Sequence, residues 1–205
     1  MAGYLGNIPS AVPLTSADIA DGIITSAKIV DGTIVNADIN ASAAIAGTKL
    51  SGAGKVLQVV STHKNDDFTT ASGSFTDVTG LSASITPSSA SNKILVMFSI
   101  MVSNTDSGSG THIRLMRSST EIAPARSDAN YESSWHTFSS ADTNISRHVS
   151  FQFLDSPSTT SATTYKVQVK PQANTTTVNR SGSDAASQAY SHKSSSSITV
   201  MEIAP

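Results

Sequence analysis

The sequence predicts an all-β protein with a short N-terminal anchor, an intertwined trimeric β-stalk and a C-terminal jelly-roll β-sandwich head. Three observations carry that expectation. Isoleucine or leucine recurs every five residues near the start, segments of alternating polarity separated by Ser/Thr/Asn/Gly/Pro clusters fill the chain from Lys55 onward, and no stretch shows a convincing helical stripe. The boundaries fall at residues 1–13 for the anchor, 14–54 for the stalk and its joint, and 55–205 for the head.

The stalk rests on Leu14, Ile19, Ile24, Ile29, Ile34 and Ile39, overlaid by a ten-residue echo in Ser16-Ala17-Asp18-Ile19, Ser26-Ala27-Lys28-Ile29 and Asn36-Ala37-Asp38-Ile39. Residues five apart on a flat strand point to opposite faces. On an α-helix they are rotated by about 140° beyond a full revolution, which smears them around the cylinder. Short extended pieces joined by bends at Asp21-Gly22 and Asp31-Gly32 would turn every isoleucine toward one axis. A single chain coiled as a quadrilateral solenoid resembles the pentapeptide-repeat proteins, but repeat arrays need about three or more units for a stacked core, and too few residues are present. Several chains around one axis solve this, each buried isoleucine contributing roughly 1.5–3 kcal/mol. Three chains are the expected number. The competing interpretation is a Ser/Ala-rich leader with no regular structure. Ile45 and Leu50 keep the step but are displaced by one residue, so the rule slips after Ile39.

Charged residues are 14% of the chain and the net charge is −2, which argues against a nucleic-acid partner held by bulk charge. Aromatics are only 5% while Ser, Thr and Ala abound, a balance that favours β-structure with small hydroxyl-bearing surfaces. Cysteine is absent, which removes disulfides and thiolate metal sites. No run of about 18 apolar residues is available to span a bilayer. Residues 1–10 lack the basic and apolar runs of a signal peptide. No membrane insertion is expected, and an extracellular setting would be reached by lysis or as part of a particle.

Ahead of the stalk, Pro9 and Pro13 enforce extended backbone, while Tyr4, Leu5 and Ile8 offer apolar anchors. The motif Gly3-Tyr4-Leu5-Gly6-Asn7-Ile8-Pro9, with the Asp-Gly/Ile decads behind it, resembles the opening of tail-fibre proteins of tailed bacteriophages, especially short-tailed marine ones. The resemblance covers the leader and the repeats. It implies a virion protein made in the host cytoplasm, docked on a tail or capsid protein through Tyr4, Leu5, Asn7, Ile8 and Pro9, and meeting a host surface glycan or protein through its head.

Ser51-Gly52-Ala53-Gly54 reads as a flexible joint. Beyond it, strands are predicted over residues 56–62, 75–86, 94–103, 112–117, 147–154, 164–170 and 197–203. Tyr165, Val167 and Val169 alternate with Lys166, Gln168 and Lys170, and Val149, Phe151 and Phe153 with His148, Ser150 and Gln152, so one face is buried and one is wet. Ile94-Leu95-Val96-Met97-Phe98 is apolar on both faces, which suits a central strand covered by its own sandwich on one side and by another subunit on the other. The layout is similar to the trimeric jelly-roll heads of the tumour necrosis factor and complement type. That likeness implies that the closing strand, with Ile198, Val200 and Ile203, lies where three copies meet. A head with a unique interface would clamp the register of otherwise uniform repeats.

No catalytic constellation is visible. His63, His112, His136, His148 and His192 show no zinc spacing, and residues 63–67 lack the ligand pattern of a calcium loop and read as a solvated turn. No Gly-x-Ser-x-Gly elbow occurs, and Glu121, Asp128, Glu132, Asp142 and Asp155 lie mostly in turns without an evident pair. No enzymatic activity, cofactor or metal is expected.

Two loops are the candidates for recognition. Residues 124–142 gather Tyr131, Trp135 and His136 in a chain poor in aromatics, a combination suited to sugar rings. The alternative for a lone tryptophan is a core plug or subunit contact. Residues 174–192 carry Arg180, Tyr190 and His192. The expected function is that of a homotrimeric phage tail fibre binding its host multivalently. A head fibre or capsid decoration protein of the same architecture is the alternative, with a polysaccharide depolymerase behind it.

Overall fold

A computed structural model describes residues 22, 24–30, 32–40, 42–43, 55–124, 135–138 (backbone only), 143, 145–183 and 192–204. The chain divides into two compact units, Met1–Ser51 and Gly52–Pro205. The anchor residues Tyr4, Leu5, Asn7, Ile8 and Pro9, together with Leu14, Ile19, Ile45 and Leu50 of the repeat, lie outside the described residues.

In the first unit a backbone turn recurs every five residues. The amides of Lys28, Thr33, Asp38 and Ala43 donate to the carbonyls of Thr25, Val30, Val35 and Asn40 at 2.8–3.0 Å. Ser26–Lys28 and Asn36–Asp38 are single 3₁₀ turns, the second closed by Asp38 Oδ2 accepting from the Val35 amide at 2.9 Å. The intervening bends use Gly22 and Gly32 at φ +77° and +81°, a left-handed conformation without penalty only for glycine. At the next such bend, Asn40 Oδ1 accepts from the Ser42 amide at 2.8 Å. The expectation that Asp-Gly supplies every bend is therefore corrected. Bends come twice as often, alternate ones need no glycine, and the described residues of this unit contain no strand. Ile24, Ile29, Ile34 and Ile39 each stand just before a turn, and a single copy leaves them 55, 37, 53 and 41% exposed.

The second unit holds β1 (Val56–Lys64), β2 (Phe68–Thr70), β3 (Thr76–Ile85), β4 (Lys93–Asn104), β5 (Gly110–Arg117), β6 (Thr120–Ile122), β7 (Trp135–Phe138), β8 (Arg147–Asp155), β9 (Thr163–Pro171), β10 (Thr176–Val178) and β11 (Ser196–Ile203). All seven strands expected from sequence are present with ends within two residues of those expected. Among the described residues there is no α-helix, and every strand pairing is antiparallel. One sheet runs β1-β11-β4-β8, with β10 continuing the line of β11 along β4 and β2 lying outside β10. The other runs β3-β9-β5, with β6 and β7 sharing the far edge of β5.

Strand alternation sends one set of side chains from each sheet into a single core. Ile94, Val96, Phe98, Ile100 and Val102 of β4 meet Val78, Leu81, Ile113, Leu115, Tyr165 and Val167 there, joined by Ile198 and Val200 of β11. Phe151 and Phe153 are half-buried against it while His148, Ser150 and Gln152 face water, as the sequence predicts. Ile203, expected beside Ile198 and Val200, has the opposite parity and faces outward. In β3 four residues intervene between Asp77 and Ser82 where β9 has one, and this bulge drives both Val78 and Leu81 inward around Gly80 at φ +81°.

Three fully or nearly buried charges cap the core. Glu202 is 0% exposed, and its hydrogen bonds come from neutral donors: Gln58 Nε2 at 2.6 Å, the Ser88 amide and hydroxyl at 2.6 and 2.8 Å, and Asn92 Nδ2 at 2.5 Å. Burial alone would raise its pKa, but these donors outweigh it and hold the carboxyl at about 2. Lys64, expected in a solvated turn, is instead 2% exposed and meets the exposed Asp66 at 2.7 Å. Asp155, expected in a turn, ends β8 buried, bound by Arg117 at 2.8 Å and by the Tyr165 hydroxyl at 2.7 Å. Burial and that bond push the Tyr165 pKa upward.

Because the folded pKa of Glu202 lies below its ordinary 4.5, its stabilising effect is complete above about pH 4.5 and is lost as pH falls toward 2. Glu202→Gln sets an amide against donors and is expected to cost about 2–3 kcal/mol at pH 7. Urea unfolding should also show a smaller drop in stability between pH 4.5 and 2 than in the native sequence.

Candidate functional site

Chain direction sorts the head into two ends. Lys55 enters beside the last strand, where its carbonyl accepts from the Ala204 amide at 2.9 Å. At the other end of β1, roughly 25–30 Å away at strand rise, the long connections converge.

Asn104, at the end of β4 and 1% exposed, ties two of them together, the β4–β5 and β9–β10 connections. Its Nδ2 donates to the carbonyls of Gly110 and Ala173 at 3.2 and 2.9 Å, and its Oδ1 accepts from the Asp106 amide at 2.9 Å. Asn179, fully buried at φ +64°, is a second hub. Its amide bonds Met101 O at 3.0 Å, its Nδ2 donates to Lys64 O and Asp66 O at 3.0 and 2.9 Å, and its Oδ1 accepts from Ser196 Oγ at 2.6 Å. Asparagine tolerates this left-handed backbone and satisfies buried neighbours with both side-chain atoms.

The segments read as recognition loops are partly strand. β7 lies within residues 124–142 and β10 within 174–192. β7 forms because β5 offers an open edge at Gly110 to Ile113, with which it pairs antiparallel. Trp135 and His136 thus stand opposite Ile113 and His112 on the edge of the β3-β9-β5 sheet. Tyr131 and Tyr190 lie outside the described residues.

Arg180 and His192 are brought together across the sheet end, with Arg180 bridged to Lys193 by backbone. His192 Nε2 meets Ser146 Oγ at 2.8 Å, and that hydroxyl donates to Arg180 O at 3.4 Å. Lys193 pairs with Asp67. The Ser183 amide bonds Thr143 O at 3.2 Å, so the exit of the first candidate segment is fastened to the second. This end gathers hydroxyls, amides, an imidazole and two cations, with His192 on Ser146 and Lys193 on Asp67. Among the described residues no group of three His, Cys, Asp or Glu is gathered to hold a metal ion. Among them too, no helix is long and apolar enough to cross a membrane. No protein-family model matches the chain, and no curated protein matches it.

Gly182 is wedged between the two segments, its amide on Ser103 Oγ at 3.1 Å. A Cβ there would overlap the Asn104 carbonyl oxygen and stand 2.7 Å from its carbon and 2.9 Å from Thr143 O. All three are backbone atoms that cannot swing aside. Gly182→Ala is expected to cost about 1–3 kcal/mol in urea unfolding, by analogy with overpacking a core, and to raise amide exchange at Ser183 before that of β4.

Proposed function

We propose that this chain is a homotrimeric phage tail fibre. The repeat segment joins three copies, its leader docks on a tail or capsid protein, and the head contacts a host surface glycan or protein. The observation that carries the reading is the five-residue turn register. It repeats the isoleucine step in the backbone, and one copy leaves those isoleucines exposed at 37–55%. Aliphatic groups so regularly spaced and so uncovered favour burial among chains over any role in water.

The head is proposed to be a jelly roll. Strand order β1-β11-β4-β8 against β3-β9-β5, closed by β6 and β7, supports this, since consecutive strands cross between sheets as that topology requires. Its converged loops lie at the end of β1 opposite Lys55, which suits a receptor-reading tip. Attachment would be multivalent and needs no covalent step.

Light scattering of the full chain is expected to give three times 21.2 kDa. The piece from Lys55 to Pro205 should remain trimeric and the piece from Met1 to Ala53 should not assemble alone. A monomeric full chain would end the fibre reading. Antibody labelling of virions is expected at the tail, and labelling over the capsid instead would replace host attachment with decoration.

A further inference from the structure

The two outer faces of the head differ in chemistry. On the β3-β9-β5 face the outward groups are charged and cross-linked. Asp77 meets Lys166 at 2.7 Å and Gln168 at 2.6 Å, and Arg114 bonds Gln168 at 2.8 Å while standing 4.0 Å over the Phe75 ring. Those cationic and amide donors overcome partial burial and hold the Asp77 carboxyl below its usual range. That face is built for water.

On the β1-β11-β4-β8 face, register lays one outward row straight across the sheet: Val59, Met201, Leu95 and Leu154. Val59 and Leu154 are each 51% exposed, and Val56 and Leu57 at the start of β1 are 53 and 45% exposed. The next outward row is Ser61, Thr199, Met97 and Gln152, and the one beyond it is His63, Ser197, Ser99 and Ser150. Ser99, Ser150, Ser197 and Thr199, together with Met97 and Gln152, line a depression of about 600 Å³ beside the apolar row. No carboxylate, lysine or arginine stands on these rows.

We infer that a second copy of this chain covers this face, with the Val59-Met201-Leu95-Leu154 row at the centre of the contact between heads. The inference rests on the trimer reading above and assigns its interface. Lys93 is the one charge on the adjoining outward row that holds Ile203, and its ammonium donates to Ser156 Oγ at 2.7 Å. The three rows themselves carry none, which limits the like-charge repulsion that identical surfaces meeting one another must avoid. A ridge of aliphatic groups beside a trough of small ones gives identical copies matching shapes to interlock. The row also begins on β1, a few residues beyond the repeat whose isoleucines are likewise uncovered. Copies gathered by the repeat therefore present these rows to one another at high effective concentration.

The chain has no cysteine, so an introduced thiol reports on one position. Full-length Val59→Cys and Leu154→Cys are compared with Thr79→Cys, exposed on the opposite sheet. Maleimide labelling of the first two is expected to be about tenfold slower than the third in the native protein, with the difference abolished in denaturant. Equal native rates in a protein of trimeric mass would overturn this interface while leaving the fibre reading intact, whereas a monomeric mass would sink both.

Discussion

Aliphatic side chains that one copy cannot hide from water set the terms for both units. Inside the head the rule of alternation is satisfied fully: Ile94, Val96, Phe98, Ile100 and Val102 are at most 3% exposed. Of the four residues between them on the same strand, Leu95, Met97 and Met101 are apolar too, and all four, Ser99 included, are only half-covered. A strand that needed one partner sheet would carry polar groups at those positions. The repeat shows the same imbalance in another backbone form, with Val30 and Val35 at 75 and 55% exposure beside the isoleucines. In the proposed fibre, cover supplied by further copies would resolve both at once.

The polar interior follows from where the core ends. Gln58, Glu202 and Asp155 occupy one inward row of the first sheet, and Lys64 and Ser196 occupy another near its opposite end. Between these rows everything facing inward, apart from Thr62, is apolar. A charge at such a boundary loses water, so each is met by fixed donors or a counter-ion, and each in turn fixes the segment that supplies its partner. Glu202 thereby holds residues 88–92, and Asp155 ties β8 to β5 through Arg117 and to β9 through Tyr165. Neutral hydrogen bonds around Glu202 give the entry end a rigid plug, and Asn104 and Asn179 do the same at the loop end.

Much of this was legible before any coordinates. Period-two alternation carried the long strands, because each buries one face and the pattern is intrinsic to the pleat. The short strands β2, β6, β7 and β10 were not legible, since three or four residues hold too few alternations and are created by the open edges of β4, β5 and β10 that they pair with. Parity alone would have placed Lys64 and Glu202 inward, in step with Val60 and Val200. Residue type argued the other way and obscured it. At the candidate site the sequence pointed to aromatic and cationic residues, whereas Asn104, Asn179 and Gly182 organise it. Nothing in their local sequence sets them apart from the surrounding Ser/Asn/Gly, because their roles arise from distant segments such as Met101, Ala173 and Thr143.

The repeat's period was legible and its conformation was not. Five residues per step excluded flat strand and α-helix correctly, yet left open how the chain bends between isoleucines. The backbone answers with a three-residue hydrogen-bonded turn at each step, using glycine at Gly22 and Gly32 and a 3₁₀ turn where Ser26-Ala27-Lys28 or Asn36-Ala37-Asp38 replaces it. A repeating turn of fixed length sets the spacing of side chains without a sheet ladder to hold it. It specifies the interval between isoleucines but no unique register between neighbouring chains, since a slip by one step would match isoleucine to isoleucine again. The second unit, with eleven strands among its described residues and a one-sided apolar face, has no such degeneracy. In the proposed fibre, joined copies of the repeat would therefore need the second unit to set their alignment, and its Val59-Met201-Leu95-Leu154 row is where that constraint would be met.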